Sequence, residues 1–293
     1  MRFLKHLLLL VSPVVLLCSC ALPDAAQLGI KPAAEESGAK APPKKKPEKL
    51  NALHNPDVDH LPFVQATRDR LEYIEAKVTG PYCALTFDDG PHPTLTPKLL
   101  DILAERNVRC TFYVIGPLAR RYPEIMKRMV AEGHEIANHT MTHRDIRRIS
   151  VDRMKKELRD CHQLLIDITG QTPLTFRPPG GGYNDRLMKI IYDELGYSTF
   201  LWTVDTNDWR RPGVGVVTKR LINGASPGAI LLCHDIHPPT IEAIPAAVDG
   251  ILEKGYTLVT VSQLVGLEKQ GNVKSAPNTH AVRELAYFGP GAL

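Results

Sequence analysis

Residues 84–91 read Ala84-Leu85-Thr86-Phe87-Asp88-Asp89-Gly90-Pro91, an apolar run that stops at two adjacent carboxylates and a turn dipeptide. A β-strand ending this way sets two charges at the rim of a fold, where side chains can meet a ligand. Neighbouring carboxylates repel. Such a pair persists most easily when a cation neutralises it or when one member takes up protons. A metal site is therefore expected beside this strand.

Outward from it, short β-branched or apolar runs alternate with helical patterns, which predicts βα units and a mostly parallel sheet. The expected strands are 83–87, 110–114, 135–138, 174–177, 198–204, 229–233 and 257–261. Helices are expected at 97–106, 123–132, 151–169, 185–195, 214–223 and 240–254, with Gly133, Gly170, Gly196 and Gly255 as C-terminal stops. Open sheet and barrel both fit this alternation. Residues 63–78 fit either a helix or an outer strand, the segment after Gln270 reads as weakly structured, and there is no internal repeat.

With 293 residues and 43% apolar content, the chain can bury one sizeable core, so a single catalytic domain at 61–270 is expected between two tails. Residues 1–20 have the form of a secretory signal: Arg2 and Lys5 precede an apolar stretch from Leu7 to Leu17, too short to span a bilayer stably. Its end, Leu17-Cys18-Ser19-Cys20-Ala21, resembles a bacterial lipobox, which makes Cys20 the lipidated anchor; an ordinary signal peptide that contains cysteines is the alternative. Residues 21–60 are rich in proline, alanine and lysine, and read as an extended tether. The chain is expected to be exported and held at a membrane of the cell envelope. Residues 271–293 form a C-terminal tail.

The formal charge of +4 does not argue for a nucleic-acid partner. Once Arg2, Lys5 and the tether are set aside, the remaining basic and acidic residues balance. Cys83, Cys110, Cys161 and Cys233 lack the close spacing of a zinc knuckle or redox pair. Buried thiols are expected, with a Cys83–Cys110 disulfide as the alternative.

In an α/β barrel, residues just past the C-terminal ends of the strands share one face. That face would gather Asp88-Asp89, His139-Thr140-Met141-Thr142-His143, Arg177-Pro178-Pro179-Gly180, Asp205-Thr206-Asn207-Asp208-Trp209 and Leu232-Cys233-His234-Asp235. His139 and His143 are four apart, so a helical turn between them would aim both imidazoles at one ion. Two histidines and one aspartate leave room for water or substrate, as in a catalytic metal centre. Zinc suits these donors; cobalt, nickel and iron fit them as well. One of the two aspartates can then serve as base, His234 as acid, Arg177 as the group that orients the base, and Asp208 as the partner of His234.

The ordered strings TFDDGPHP, HTMTH, RPPGGGY, DTNDW and LLCHDIH resemble the five motifs of the polysaccharide deacetylases of carbohydrate esterase family 4, with their NodB-like domain. The match spans about residues 83–264. It implies a distorted (β/α)7-type barrel and metal-dependent removal of acetyl groups from N-acetylated sugars. By position, Asp88 resembles the catalytic base, Asp89, His139 and His143 the metal ligands, Arg177 the arginine that holds the base, and His234 the general acid. Asp208 resembles the partner of that acid, with Asp205 as competitor. Trp209 and Leu232 would line the pocket for the acetyl methyl group. Family members commonly have an aromatic residue directly after RPP; here Gly180-Gly181-Gly182 precede Tyr183. Glycine can still supply the backbone N–H of an oxyanion contact at Gly180, while a stacking face is lost or moves to Tyr183. The expected substrate is a cell-envelope polysaccharide, peptidoglycan first. Poly-N-acetylglucosamine, chitin oligomers or acetylxylan are alternatives, as is an inert glycan-binding lipoprotein.

Overall fold

The computed structural model describes residues 70–269. The chain runs through β1 (Glu72–Tyr73), β2 (Tyr82–Asp88), α1 (Leu95–Glu105), β3 (Thr111–Val114), α2 (Gly116–Arg121), α3 (Pro123–Ala131) and β4 (Glu135–Asn138). It continues with α4 (Val151–Thr169), α5 (Asp185–Ile190), β5 (Thr199–Phe200), β6 (Val204–Asp205), α6 (Val214–Gly224), β7 (Ile230–His234), α7 (Pro238–Glu253), β8 (Thr257–Leu258) and α8 (Val261–Lys269).

Strand β2 shows how the sequence divides the interior. Successive side chains of a strand point to opposite faces. Cys83, Leu85 and Phe87 accordingly join the apolar layer beneath the helices, with Leu99, Leu103, Val248 and Ile251. Ala84 faces the barrel axis with Tyr113, Ala137, Phe200 and Ile230, while Thr86 and Asp88 point to a buried arginine. Each fully buried leucine or phenylalanine of the outer layer contributes roughly 1.5–3 kcal/mol.

All strand pairs are parallel. β2 pairs with β3, with β7 and, at its start, with β8, and the register sets Asp88 opposite both Tyr113 and His234. β4 pairs with β3, and β6 with β7. The ring closes through residues 199–205, which serve two neighbours in turn. Phe200 N–H donates to Phe176 at 2.8 Å and β5 lies against β1; Thr203 N–H then donates to Ile230 at 3.0 Å and β6 lies against β7. The result is a distorted α/β barrel.

Helix α4 follows its sequence closely. Ser150 Oγ accepts from Arg153 N–H at 3.2 Å, Met154, Leu158, Cys161 and Leu165 form its buried stripe, and Gly170 ends it at φ 71°. The other three expected stops, Gly133, Gly196 and Gly255, also have positive φ.

Several expectations need correction. Residues 174–177 form no strand; Phe176 alone makes bridges, to Asn138 and Thr199. The single strand expected at 198–204 is two short ones, because it must switch neighbours. The helix expected at 185–195 is α-helical to Ile190 and continues as a π turn at Ile191–Leu195. The strand expected to reach Val261 stops at Leu258, and α8 begins at Val261. Helix α2 was not foreseen, since Gly116-Pro117 reads as a turn although proline suits the first turn of a helix. Within 63–78 the described part holds the outer strand β1. Cys83, Cys110, Cys161 and Cys233 are free and buried, and burial pushes the Cys83 and Cys161 thiols up to about 12. The signal, Cys20, the tether and the tail lie outside the described residues.

Candidate active site

Asp88 and Asp89 leave β2 in different directions. Asp88 completes the strand and turns to Arg177, whose Nη1 donates to its Oδ1 at 2.7 Å. Asp89 sits at φ 73°, which breaks the pleat and swings its carboxylate toward the loop after β4. Gly90 follows in a space without room for a side chain: a Cβ there would lie 2.3 Å from both carboxylate oxygens of Asp235.

Arg177 is fully buried. Its guanidinium also donates to Thr86 Oγ1 at 2.9 Å, to the Phe200 carbonyl at 3.2 Å and to the Leu201 carbonyl at 2.9 Å, and its Cζ lies 4.0 Å above the Tyr113 ring. Removing either partner of such a buried pair costs about 3–5 kcal/mol. Asp88 is therefore held through one oxygen; its Oδ2 lies 3.7 Å from His139 Nε2.

His139 and His143 converge on Asp89, though not through the helical turn expected. Residues 139–143 form an irregular loop in which Thr140 (φ 72°) and His143 (φ 54°) are both left-handed. Each such residue costs of order 1–3 kcal/mol and persists only where its surroundings over-determine it. Asp89 Oδ1 lies 3.0 Å from His143 Nε2 and 3.4 Å from His139 Nε2. Neither contact has hydrogen-bond alignment, so this buried oxygen has no hydrogen-bond partner. The Arg177 carbonyl, 2.8 Å from His139 Nδ1, can only accept, so Nδ1 carries a proton and the neutral ring keeps its lone pair on Nε2, facing Asp89. One ligand atom from each of Asp89, His139 and His143 lies within 4.8 Å of the others. Two imidazole Nε2 atoms and a carboxylate oxygen facing one point fit a divalent cation. Burial alone would push the Asp89 carboxyl up, but without an ion the two imidazoles, when protonated toward it, override burial and hold it well below the usual carboxylate range.

On the neighbouring strand, in register with Asp88, His234 ends β7. Its Nδ1 is 2.8 Å from Asp208 Oδ1, its own N–H donates to Asp208 Oδ2 at 2.7 Å, and Thr240 Oγ1 donates to the same oxygen at 2.8 Å. Burial opposes charge on the ring, but the Asp208 carboxylate outweighs it and His234 is pushed up to about 9. Asp205 is not the partner: its Oδ1 accepts from Asn207 N–H at 2.7 Å, within its own turn.

The remaining expected residues rim this mouth or line the strands below it. Trp209 is 48% exposed, with the Arg210 guanidinium 4.5 Å from its ring centre, and Leu232 is 3% exposed on β7. Gly180 and Gly181 are left-handed, at φ 59° and 65°, and Trp202 fills the space where a Cβ on Gly181 would stand. Tyr183 is half-buried with its hydroxyl bonded to Glu72, which raises its pKa.

Sequence reasoning missed Thr86, Tyr113 and Thr240, and placed Asp235 on the site face without a role. Thr86 could have been found, because it lies two residues before Asp88 on the same strand face. Tyr113 and Thr240 meet the site only through strand register and helix packing. Asp235 is fully buried, donated to by Thr96 Oγ1, and burial pushes it up to about 7.

A family model described as polysaccharide deacetylase matches residues 75–200. The peptidoglycan-N-acetylglucosamine deacetylase PgdA of Listeria monocytogenes is 36% identical over 66% of this chain and 40% of its own length. This chain thus spans about 40% of the length of the first curated relatives it matches. The peptidoglycan-N-acetylglucosamine deacetylase of Bacillus cereus is 38% identical over 62% of this chain and 87% of its own. Among solved structures, a family 4 carbohydrate esterase pseudoenzyme from Bacillus anthracis is similar at a TM-score of 0.63 and 28% identity, over 66% of this chain and 68% of that one. Fold, motif order and relatives agree, and the chain belongs to the polysaccharide deacetylase family.

Proposed function

We propose that this chain is a metal-dependent N-deacetylase of a cell-envelope polysaccharide, with the N-acetyl sugars of peptidoglycan as substrate and acetate as product. The observation that carries the reading is the pairing of Asp88 with Arg177 and of His234 with Asp208 at the ends of neighbouring strands, beside the Asp89–His139–His143 cluster. Similarity to a pseudoenzyme means that activity must be argued from groups and not from fold. Here base, acid and candidate ligands are all present, which disfavours an inert glycan binder.

Asp89, His139 and His143 would hold the ion, zinc first, since two imidazoles and a carboxylate suit it. When bound, such an ion acidifies water and polarises a carbonyl. Asp88 Oδ2, the oxygen that Arg177 does not engage, takes the proton of the attacking water as its oxygen bonds to the acetamide carbon. The Gly180 N–H donates to the oxyanion. His234, charged at neutral pH through Asp208, passes the proton on its Nε2 to the departing nitrogen as the C–N bond breaks. Acetate and a free amine result. Trp209 and Leu232 supply the apolar surface for the methyl group, and Tyr183 borders the sugar.

The lipobox at Cys20 and the tether at 21–60 support a chain exported and lipid-anchored near such a polymer. Acetate release from purified wall material, with and without a chelator, tests the activity, and mass spectrometry of the treated sugars names the deacetylated residue. Release that is unaffected by the chelator refutes metal dependence, and unmodified wall sugars refute the substrate.

A further inference from the structure

The loop that carries both histidines is tied to helix α4 at Glu157. Two of the loop's bonds fold it on itself: Thr140 N–H donates to Asn138 Oδ1 at 2.9 Å, and His143 N–H to Thr140 Oγ1 at 3.0 Å. Three others lead to Glu157. Met141 N–H donates to its backbone carbonyl at 3.0 Å, and Thr142 donates to its Oε2 twice, from N–H at 2.6 Å and from Oγ1 at 2.9 Å. The other carboxylate oxygen is held by Arg153, with Nε at 3.0 Å and Nη2 at 2.8 Å. Glu157 is 2% exposed, and the buried stripe of α4 fixes the helix it stands on.

A charged acceptor makes the Thr142 bonds strong and directional. Thr142 immediately precedes His143, whose left-handed backbone aims its ring at Asp89. We propose that Glu157 is a positioning residue for the ion: acting through Thr142, it fixes where His143 stands relative to Asp89 and so sets the affinity of the three-ligand site. This rests on the reading of Asp89, His139 and His143 as ligands. Groups behind metal ligands typically govern affinity by 10–100-fold.

The experiment measures zinc affinity of the chelator-stripped 293-residue chain by competition with a chromophoric chelator, together with the melting temperature of the metal-free protein. Glu157→Ala is expected to bind zinc about 10–100-fold more weakly than the unsubstituted chain. Thr142→Val and Glu157→Gln, each of which keeps part of the tie, should fall between. A lowered melting temperature with unchanged zinc affinity in Glu157→Ala would mean that the carboxylate is only a brace, and overturns the proposal. Should Glu157→Ala not fold, unchanged affinity in both partial variants overturns it instead. Failure of the unsubstituted chain to bind zinc is a distinguishable result, which removes the metal reading and this inference with it.

Discussion

Two buried carboxylates at opposite ends of the barrel show what separates a scaffold group from a site group. Glu135 opens β4 at the lower end, and its oxygens accept from Thr111 Oγ1 at 2.8 Å, Thr175 Oγ1 at 3.1 Å, Ser262 N–H at 3.0 Å and Ser262 Oγ at 2.5 Å. Asp89, at the upper end, keeps one buried oxygen without any hydrogen bond. Both charges are costly to bury. At Glu135 neutral donors from β3, the segment before Phe176 and α8 offset that cost within the protein. At Asp89 only the His139 and His143 imidazoles stand near that oxygen, which on the proposed reading leaves the remaining compensation to an ion.

The largest effect should follow at the group beside Asp89. Asp88→Asn is expected to lower acetate release about 100- to 10,000-fold, the usual worth of a positioned base, while zinc still binds; unchanged turnover would end the assignment of Asp88. Next comes the scaffold carboxylate: Glu135→Ala leaves several buried donors without an acceptor and should destabilise the fold by about 3 kcal/mol in a denaturant melt. If the comparison holds, zinc still raises the melting temperature of that variant. An intermediate effect concerns His234. Its folded pKa of about 9 lies above the ordinary imidazole value, so its charge contributes stability fully present below about 6.5 and lost as pH rises through about 9. The alkaline limb of kcat/KM should therefore fall near pH 9, and in Asp208→Asn it should move down toward 6.5; a limb that stays in place would break the Asp208–His234 pairing. The smallest change in metal-free stability belongs to Asp89→Asn in chelator, which should shift the melting temperature less than Glu135→Ala does, since its buried oxygen has no hydrogen bond to lose. That variant should lose the rise in melting temperature on adding zinc, the opposite of Glu135→Ala.

Legibility followed the range of the interactions involved. β2 and α4 were readable because local patterning determines them: alternation in one, a cap and an apolar stripe in the other. The segment at 198–204 was not, since its division into β5 and β6 depends on which strand lies beside each half. His139 and His143 do face Asp89 together, as their spacing suggested, but by another route. Spacing of four suggested a helical turn, whereas two left-handed residues and the grip of Glu157 make the approach. The choice between Asp205 and Asp208 depended on which carboxylate the turn consumes, which only the fold reveals.

Arg177 contributes to both halves of the site by different means. Its side chain holds Asp88, and its carbonyl sets the tautomer of His139. Mutation can edit the first but not the second, because every amino acid carries the same carbonyl. On the proposed roles, a lineage that lost Arg177 would forfeit its base yet keep a correctly presented histidine for the ion, so decay of catalysis and decay of ion binding could follow separate histories.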